Sequence, residues 1–487
     1  MAITITDSGN FITFDDGTTT KSLNKPFEYE IKAIDGTIRF YNDINSVQYS
    51  YSDITTPSSV DIVDLASIVM AYNNTIQNDV ALQNLLNDNN GTFDAFYRQR
   101  FSQPETIFDS KQLSDKQPQF WDDQLISGSG GASTYNTNQA STSLSVSNAT
   151  AGHRVRQTYR RFNYQPGKSQ MFILTGILGS SLTACTKRCG LFDEKNGIFF
   201  QVDDEGFKLG LRTFTSGVAS DDFVNQDAFN IDKMDGTGAS GITLDTTKTN
   251  IYFADFEWLG VGRVRYGVFI NGRPYYIHER LHANVESVVY MSTPNLPIRW
   301  EIINDGLGTA DSITHICSTI ISEGGVKDTG FPYGATRGAS PLVTNNDANI
   351  YPLMAMRLKS GYLSALIKIL DLSITCTSTA SFNYYIILNP TITGTALSFS
   401  SPANIANSSI EVDVSRTNTT TISGGTLLYT NSDNQANTTS GKNSILNSDF
   451  AFGSSIAGVS DIVVIGVQRT TGTTETFYGS INWKDQQ

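Results

Sequence analysis

Between Ser143 and Asn304 apolar and polar residues alternate in ten short bursts: SLSVS, RVRQTYRRFNY, QMFILTGIL, GIFFQVD, FKLGLRTF, NIYFADFEWL, VRYGVFI, RPYYIHE, SVVYMS and IRWEII. A period of two sends successive side chains to opposite faces of an extended chain, so each burst reads as a strand with one face buried. Ten such strands in one continuous stretch suit a two-layer antiparallel sandwich. The clearest pairing is VRYGVFI with RPYYIHE, because Asn271-Gly272 between them is the preferred pair for a type I′ hairpin turn. The Thr, Tyr and Phe that favour strands and the Asn, Gly and Ser that favour turns are abundant, whereas charged residues are only 17% of the chain.

The rest of the 487 residues divides around this stretch. Residues 1–95 read as a small N-terminal domain, with strand-like bursts AITIT, NFITF, FEYEIKAI, TIRFYN and VQYSYSDI. After Pro57-Ser58-Ser59 the period changes: Ile62, Leu65, Val69 and Tyr72 share one helical face, and a weaker helical stretch covers Asn78 to Leu86. Residues 96–140, aromatic but aperiodic and then rich in Ser, Gly and Thr, read as a linker. Residues 141–330 are the central sandwich. Beyond the Gly- and Pro-containing run KDTGFPYGATRGASP, residues 331–487 carry a second set of alternating bursts and read as a C-terminal sandwich. The expected fold class is mainly β: a small N-terminal β/α adaptor followed by two antiparallel β-sandwiches.

The net charge of −13 argues against a protein that holds nucleic acid, which needs clustered Lys and Arg. Four arginines do fall in HRVRQTYRR, but a strand splits them between two faces, where solvated or intersubunit pairing is expected. No run reaches the roughly 18 apolar residues that mark a spanning helix, and the start MAITITDSGN lacks the pattern of a signal peptide. Membrane insertion is not expected. Cys185, Cys189, Cys317 and Cys376 read as reduced thiols; Cys185 and Cys189 form a C-x3-C with no second Cys/His pair near it to complete a zinc site.

Two patterns could carry catalysis. His278-Glu279-Arg280-Leu281-His282 satisfies H-E-x-x-H, which in a zinc protease sits on a helix with both histidines on one face. Here it continues the returning strand of the hairpin, where positions i and i+4 lie roughly 13 Å apart, too far for one metal. Paired acids occur at Asp15-Asp16, Asp122-Asp123, Asp203-Asp204 and Asp221-Asp222, and their surroundings read as acidic turns rather than glycosidase carboxylates. No catalytic residue, metal or cofactor is assigned. Exposed aromatics beside Asn and Asp grip sugars by stacking and hydrogen bonding, so Trp258, Tyr266, Tyr275 and Tyr276 are the candidate glycan contacts; alternation turns about half of them inward.

Several long strings occur in an order that resembles a widespread family of tailed-bacteriophage virion proteins. They are RRFNYQPGKSQMFILTGILG from Arg160, TKRCGLFDEKNGIFF from Thr186, DFEWLGVGRVRYGVFINGRPYYIHERLHAN from Asp255 and TPNLPIRWEI from Thr293, then NPTITGT from Asn389 and YGSINWKD from Tyr478. The resemblance spans roughly residues 95 to 487. It implies a non-enzymatic virion structural protein with jelly-roll or lectin-like β-domains, a head-fibre, capsid-surface or tail-associated component. The Asn- and Ile-rich composition is compatible with an AT-rich phage such as the crAss-like group. The implied partners are further copies of the chain, as a dimer or trimer, and other capsid, neck or tail proteins. The alternative is a receptor-binding, lectin-like tail fibre protein that adheres to host surface glycans.

Overall fold

The computed structural model describes residues 104–148, 150–327, 329–433 and 452–486, together with Ala95 and the backbone of short strands within 4–52 and 439–441. The chain falls into two compact units, Met1–Thr92 and Phe93–Gln487. In the first, β1 (Thr4–Asp7), β2 (Phe11–Asp15) and β3 (Thr20–Asn24) pair as one antiparallel meander. There, β4 (Tyr29–Ile34), β5 (Thr37–Asn42) and β6 (Gln48–Ser52) pair as another. Five of these strands fall on the alternating bursts, whereas β3, TKSLN, falls on none of them. The two helical stretches expected over 57–90 lie outside the described residues.

The second unit opens with fifteen strands in chain order. They are β7 (Glu105–Lys111), β8 (Trp121–Gly128), β9 (Gly131–Asn136), β10 (Ser141–Val146), β11 (Gly152–Thr158), β12 (Gln170–Ile177), β13 (Cys185–Phe192), β14 (Gly197–Asp203), β15 (Gly206–Thr213), β16 (Ser220–Asn225), β17 (Asn250–Phe256), β18 (Val264–Ile270), β19 (Arg273–Arg280), β20 (Ile298–Asn304) and β21 (Asp311–Ser322). One sheet runs β19-β18-β17-β12-β21-β10-β9, with β7 also on β21; the other runs β16-β15-β14-β13-β20-β11-β8. The chain passes repeatedly from one layer to the other, in the manner of a jelly roll. Phe200 on β14 is a hub of the core between them, with ring centroids 6.4 Å from Phe172, 5.2 Å from Tyr252 and 5.7 Å from Tyr266 of the facing sheet. Burying each such ring is worth on the order of 2 kcal/mol.

Twelve further strands follow: β22 (Phe331–Thr336), β23 (Leu342–Thr344), β24 (Tyr351–Leu358), β25 (Leu366–Cys376), β26 (Phe382–Leu388), β27 (Thr391–Gly394), β28 (Ile410–Asp413), β29 (Thr420–Ser423), β30 (Thr426–Asp433), β31 (Thr439–Gly441), β32 (Ile462–Arg469) and β33 (Glu475–Gln486). The sheets β22-β33-β25-β31 and β28-β24-β32-β26-β30 enclose a second core, in which Phe382 meets Phe477 edge-on at 5.1 Å and Trp483 is fully buried. The fold is thus mainly β, in antiparallel sandwiches. The only helical turns among the described residues are three 3-10 turns of three residues each.

Three local expectations are corrected. The segment 96–140 is not a linker, since β7, β8 and β9 occupy most of 105–136 and pair with β21, β11 and β10. Ser and Thr misled the reading; on β9 and β10 they are sheet residues, and Lys116 Nζ bonds to Ser133 across that corner at 2.8 and 3.0 Å. SVVYMS is not a strand: Tyr290 pins it as a loop by donating its N–H to Gly260 O at 2.9 Å and its hydroxyl to Glu257 O at 2.9 Å, with Val288 left exposed. The arginines of HRVRQTYRR are not solvated either. Arg154 pairs with Asp123, Arg161 with Asp193 at 2.5 Å, and Arg156 is fully buried beneath Trp121, donating to Lys116 O and to His315 Nδ1.

Candidate functional site

The hairpin that suggested both a protease motif and a glycan surface folds as the Asn-Gly turn requires, with φ of 52° at Asn271 and 76° at Gly272. Its returning strand carries a bulge: Tyr276 lies opposite Gly267 but His278 lies opposite Tyr266, leaving Ile277 as the extra residue. The alternation therefore breaks within YYIHE. Tyr266 is buried between the layers, its hydroxyl donating to Gly210 O at 2.9 Å. Tyr276 is buried on the other face, donating to Asp255 Oδ2 at 2.9 Å beneath the Arg265 guanidinium. Neither can touch a glycan, which corrects the expectation for both. Trp258 and Tyr275 are half-buried and pack against the core, Trp258 donating to Met291 O at 3.0 Å.

The two histidines of H-E-x-x-H are both buried and serve the backbone. His278 Nδ1 accepts from the Asn230 N–H at 3.2 Å, while His282 Nδ1–H donates to Gly262 O at 2.6 Å and stacks on Tyr290 at 4.2 Å. Burial pushes the His278 imidazole down to about 4. Their opposite hydrogen-bond roles leave no shared metal-facing pair. Among the described residues no group of three or more His, Cys, Asp or Glu could hold a metal ion. Cys185 and Cys189 both point into the core from β13, and burial raises both thiols, Cys185 to about 11.

The acid pairs expected in turns mostly lie on strands. Asp123 faces inward against Arg154 and Asp122 faces outward; Asp221 accepts from Arg212 at 2.6 Å, and Asp222 pairs with Arg280. Of these, Asp221 belongs to an ionic lattice on the outer face of the β16-to-β8 sheet, through Arg212 and Arg188. At its centre Glu301 is fully buried, bonded to Arg299 at 2.6 Å and Arg188 at 3.0 Å, and Arg299 reaches on to Glu194 at 2.5 Å. Burial opposes the Glu301 charge, but the Arg299 and Arg188 guanidiniums with His153 hold its carboxyl well below the usual range. A glycosidase acid must instead keep its proton near neutral pH.

A hollow lies elsewhere, between the two sandwiches. It is a cleft of about 660 Å³, within the roughly 300–1,000 Å³ of small-ligand sites. One wall is the turn after β11, with Tyr164, Gln165 and Lys168, joined by Lys327; the other is the edge strand β22, with Phe331 and Tyr333, and the end of β33. The first wall is held together because Gln165 Nε2 donates to Lys327 O at 2.5 Å and the Lys327 N–H returns a bond to Gln165 Oε1 at 2.9 Å. The second is an aromatic rail: Tyr333 stacks on buried Trp483 at 6.2 Å, and Phe331 lies 5.2 Å from Tyr333 with 66% of its surface exposed. Trp258 backs the cleft, meeting Tyr164 edge-on at 6.4 Å. A second hollow of about 450 Å³ on the same seam is lined by Phe120, Tyr159, Leu388 and Leu428; its Asp461 is already occupied by Asn389 at 2.8 Å.

Sequence reasoning missed Phe331 and Tyr333. The signal was the F-x-Y of GFPYG, which places both rings on one face of a strand, but Gly and Pro around it read as a separator.

No family model matches the chain, and no curated protein matches it. Among solved structures, a Bacillus licheniformis β-glucanase is similar at 10% identity over 44% of this chain and 96% of that one, with a TM-score of 0.29. The carbohydrate recognition domain of Emp47p is similar at 10% identity over 45% and 96%, with a TM-score of 0.28. A legume lectin-like domain from Entamoeba histolytica is similar at 8% identity over 44% and 96%, with a TM-score of 0.26.

Proposed function

We propose that this chain is a non-enzymatic structural protein of a tailed-phage particle, displayed as a head-fibre, capsid-surface or tail-associated component and assembled as a dimer or trimer. The observation that supports the non-catalytic reading is the lattice around Glu301, whose buried carboxylate is bonded to Arg299 and Arg188 and lines neither of the two hollows on the seam between the sandwiches. The phage setting rests on the ordered strings from Arg160 to Asp485. Antibodies raised against the full chain should decorate intact particles at regular positions, and mass spectrometry of purified particles should recover it at a fixed copy number. Particles that lack the chain would refute the assignment.

A second reading, adhesion to host surface glycans, is favoured by the cleft. An exposed ring anchored through Tyr333 to the core gives a sugar a rigid apolar face, with polar side chains across the gap. Phe331→Ala should then weaken attachment of the protein to host cell surfaces at least tenfold while leaving its melting temperature unchanged.

A further inference from the structure

The two walls of the cleft differ in what they offer a ligand. Phe331 and Tyr333 present ring faces; Lys168 and Lys327 on the opposite wall present ammonium groups. Lys168 Nζ donates one bond to Gly325 O at 2.5 Å, which leaves two of its three N–H groups for a ligand. The Lys327 side chain is exposed, and no described residue accepts from its Nζ. Burial lowers the Lys168 proton affinity and the nearby Lys327 charge lowers it further, with Glu105 opposing. Two neighbouring cations thus repel each other at the same wall.

Two described carboxylates close by already accept hydrogen bonds. Glu105 Oε2 accepts from the Val326 N–H at 2.6 Å. Asp485 accepts from the Ser409 N–H at 2.5 Å, from Ser408 Oγ at 3.0 Å and from Ser409 Oγ at 3.1 Å, and is buried. Among the described residues that line the cleft, the charged groups with hydrogen-bond donors left for a ligand are Lys168 and Lys327. This holds although the chain carries −13 overall, because distant carboxylates are screened beyond about 8 Å at physiological ionic strength.

We propose that the cleft binds an acidic saccharide, its pyranose ring lying on Phe331 and its carboxylate or sulfate reaching Lys168 and Lys327. The proposal rests on the carbohydrate reading of the cleft and adds the charge class. The test uses the full chain on an array of neutral, uronate-, sialate- and sulfate-bearing glycans, followed by titration of the best acidic glycan and its neutral counterpart. Acidic glycans should be preferred, with affinity falling as salt rises. Lys327→Ala should weaken the acidic glycan roughly tenfold and leave the neutral one unchanged, while Phe331→Ala should weaken both. Equal binding of acidic and neutral glycans, indifferent to Lys327→Ala, would overturn the charge class and leave carbohydrate binding standing. A flat array, or binding that Phe331→Ala does not touch, would overturn both.

Discussion

His278 ties the stability of the chain to acidity. Desolvation is the main cause of its depressed pKa, with Arg280 adding to it and Asp222 opposing. In the unfolded chain the same imidazole takes up a proton near 6.5, so its contribution to stability is complete above that pH and is lost as the pH falls towards about 4. Urea unfolding should show a loss of about 2 kcal/mol between pH 6.5 and 5 from this group. His278→Gln, which keeps an acceptor for the Asn230 N–H, should flatten the profile by that amount; an unchanged profile would place the proton elsewhere. The two histidines were visible in the sequence as a suspect motif, and their strand context was visible too. The bulge at Ile277 was not, because one inserted residue leaves no mark in composition or in the length of YYIHE, yet it sets His278 opposite Tyr266 while Tyr276 stays opposite Gly267.

Most strands that contrasted apolar with polar residues were legible, and strands with no apolar stripe were lost. β16 reads SDDFVN and β9 reads GASTYN; both obey sheet pairing without an apolar stripe. The outer face of the β16-to-β8 sheet shows how such a face is packed. Phe199 lies between Gly210 and Gly190 across neighbouring strands, with the Arg188 and Arg212 guanidiniums each 5.5 Å from its ring centre. A Cβ on Gly210 would sit 2.2 Å from that ring. Gly210→Ala should therefore cost about 1–3 kcal/mol through overpacking. Gly361→Ala, where a Cβ meets nothing within 4 Å, should stay within about 0.5 kcal/mol. Thermal melts of the two variants compare them directly.

At the scale of the molecule, the unit Phe93–Gln487 is more than two sandwiches in series. The Ile456 N–H donates to Asp122 Oδ2 at 2.7 Å, the Ser454 N–H to Tyr159 O at 3.0 Å, and Asn295 Nδ2 to Ser364 O at 3.3 Å. These bonds cross from one sandwich to the other, so calorimetry should show them unfolding together. Asp122→Ala removes a charge-assisted bond of about 1.5–3 kcal/mol and should split or broaden that transition. A reading from sequence separates the sandwiches at the Gly- and Pro-containing run and has no means of seeing bonds between residues more than 300 positions apart.

The position of β33 has a consequence for how the chain is made. It lies between β22 and β25 in its sheet, pairs with β23 as well, and brings Phe477, Ile481 and Trp483 to the second core. All of its partners leave the ribosome before it does. Until Glu475–Gln486 emerges, β25 and β22 have unpaired edges and the core lacks its largest side chain, which is the kind of surface that captures a neighbouring nascent chain. The second sandwich is thus closed only after its other strands have been synthesised, and the cleft wall that carries Phe331 is completed in the same late step.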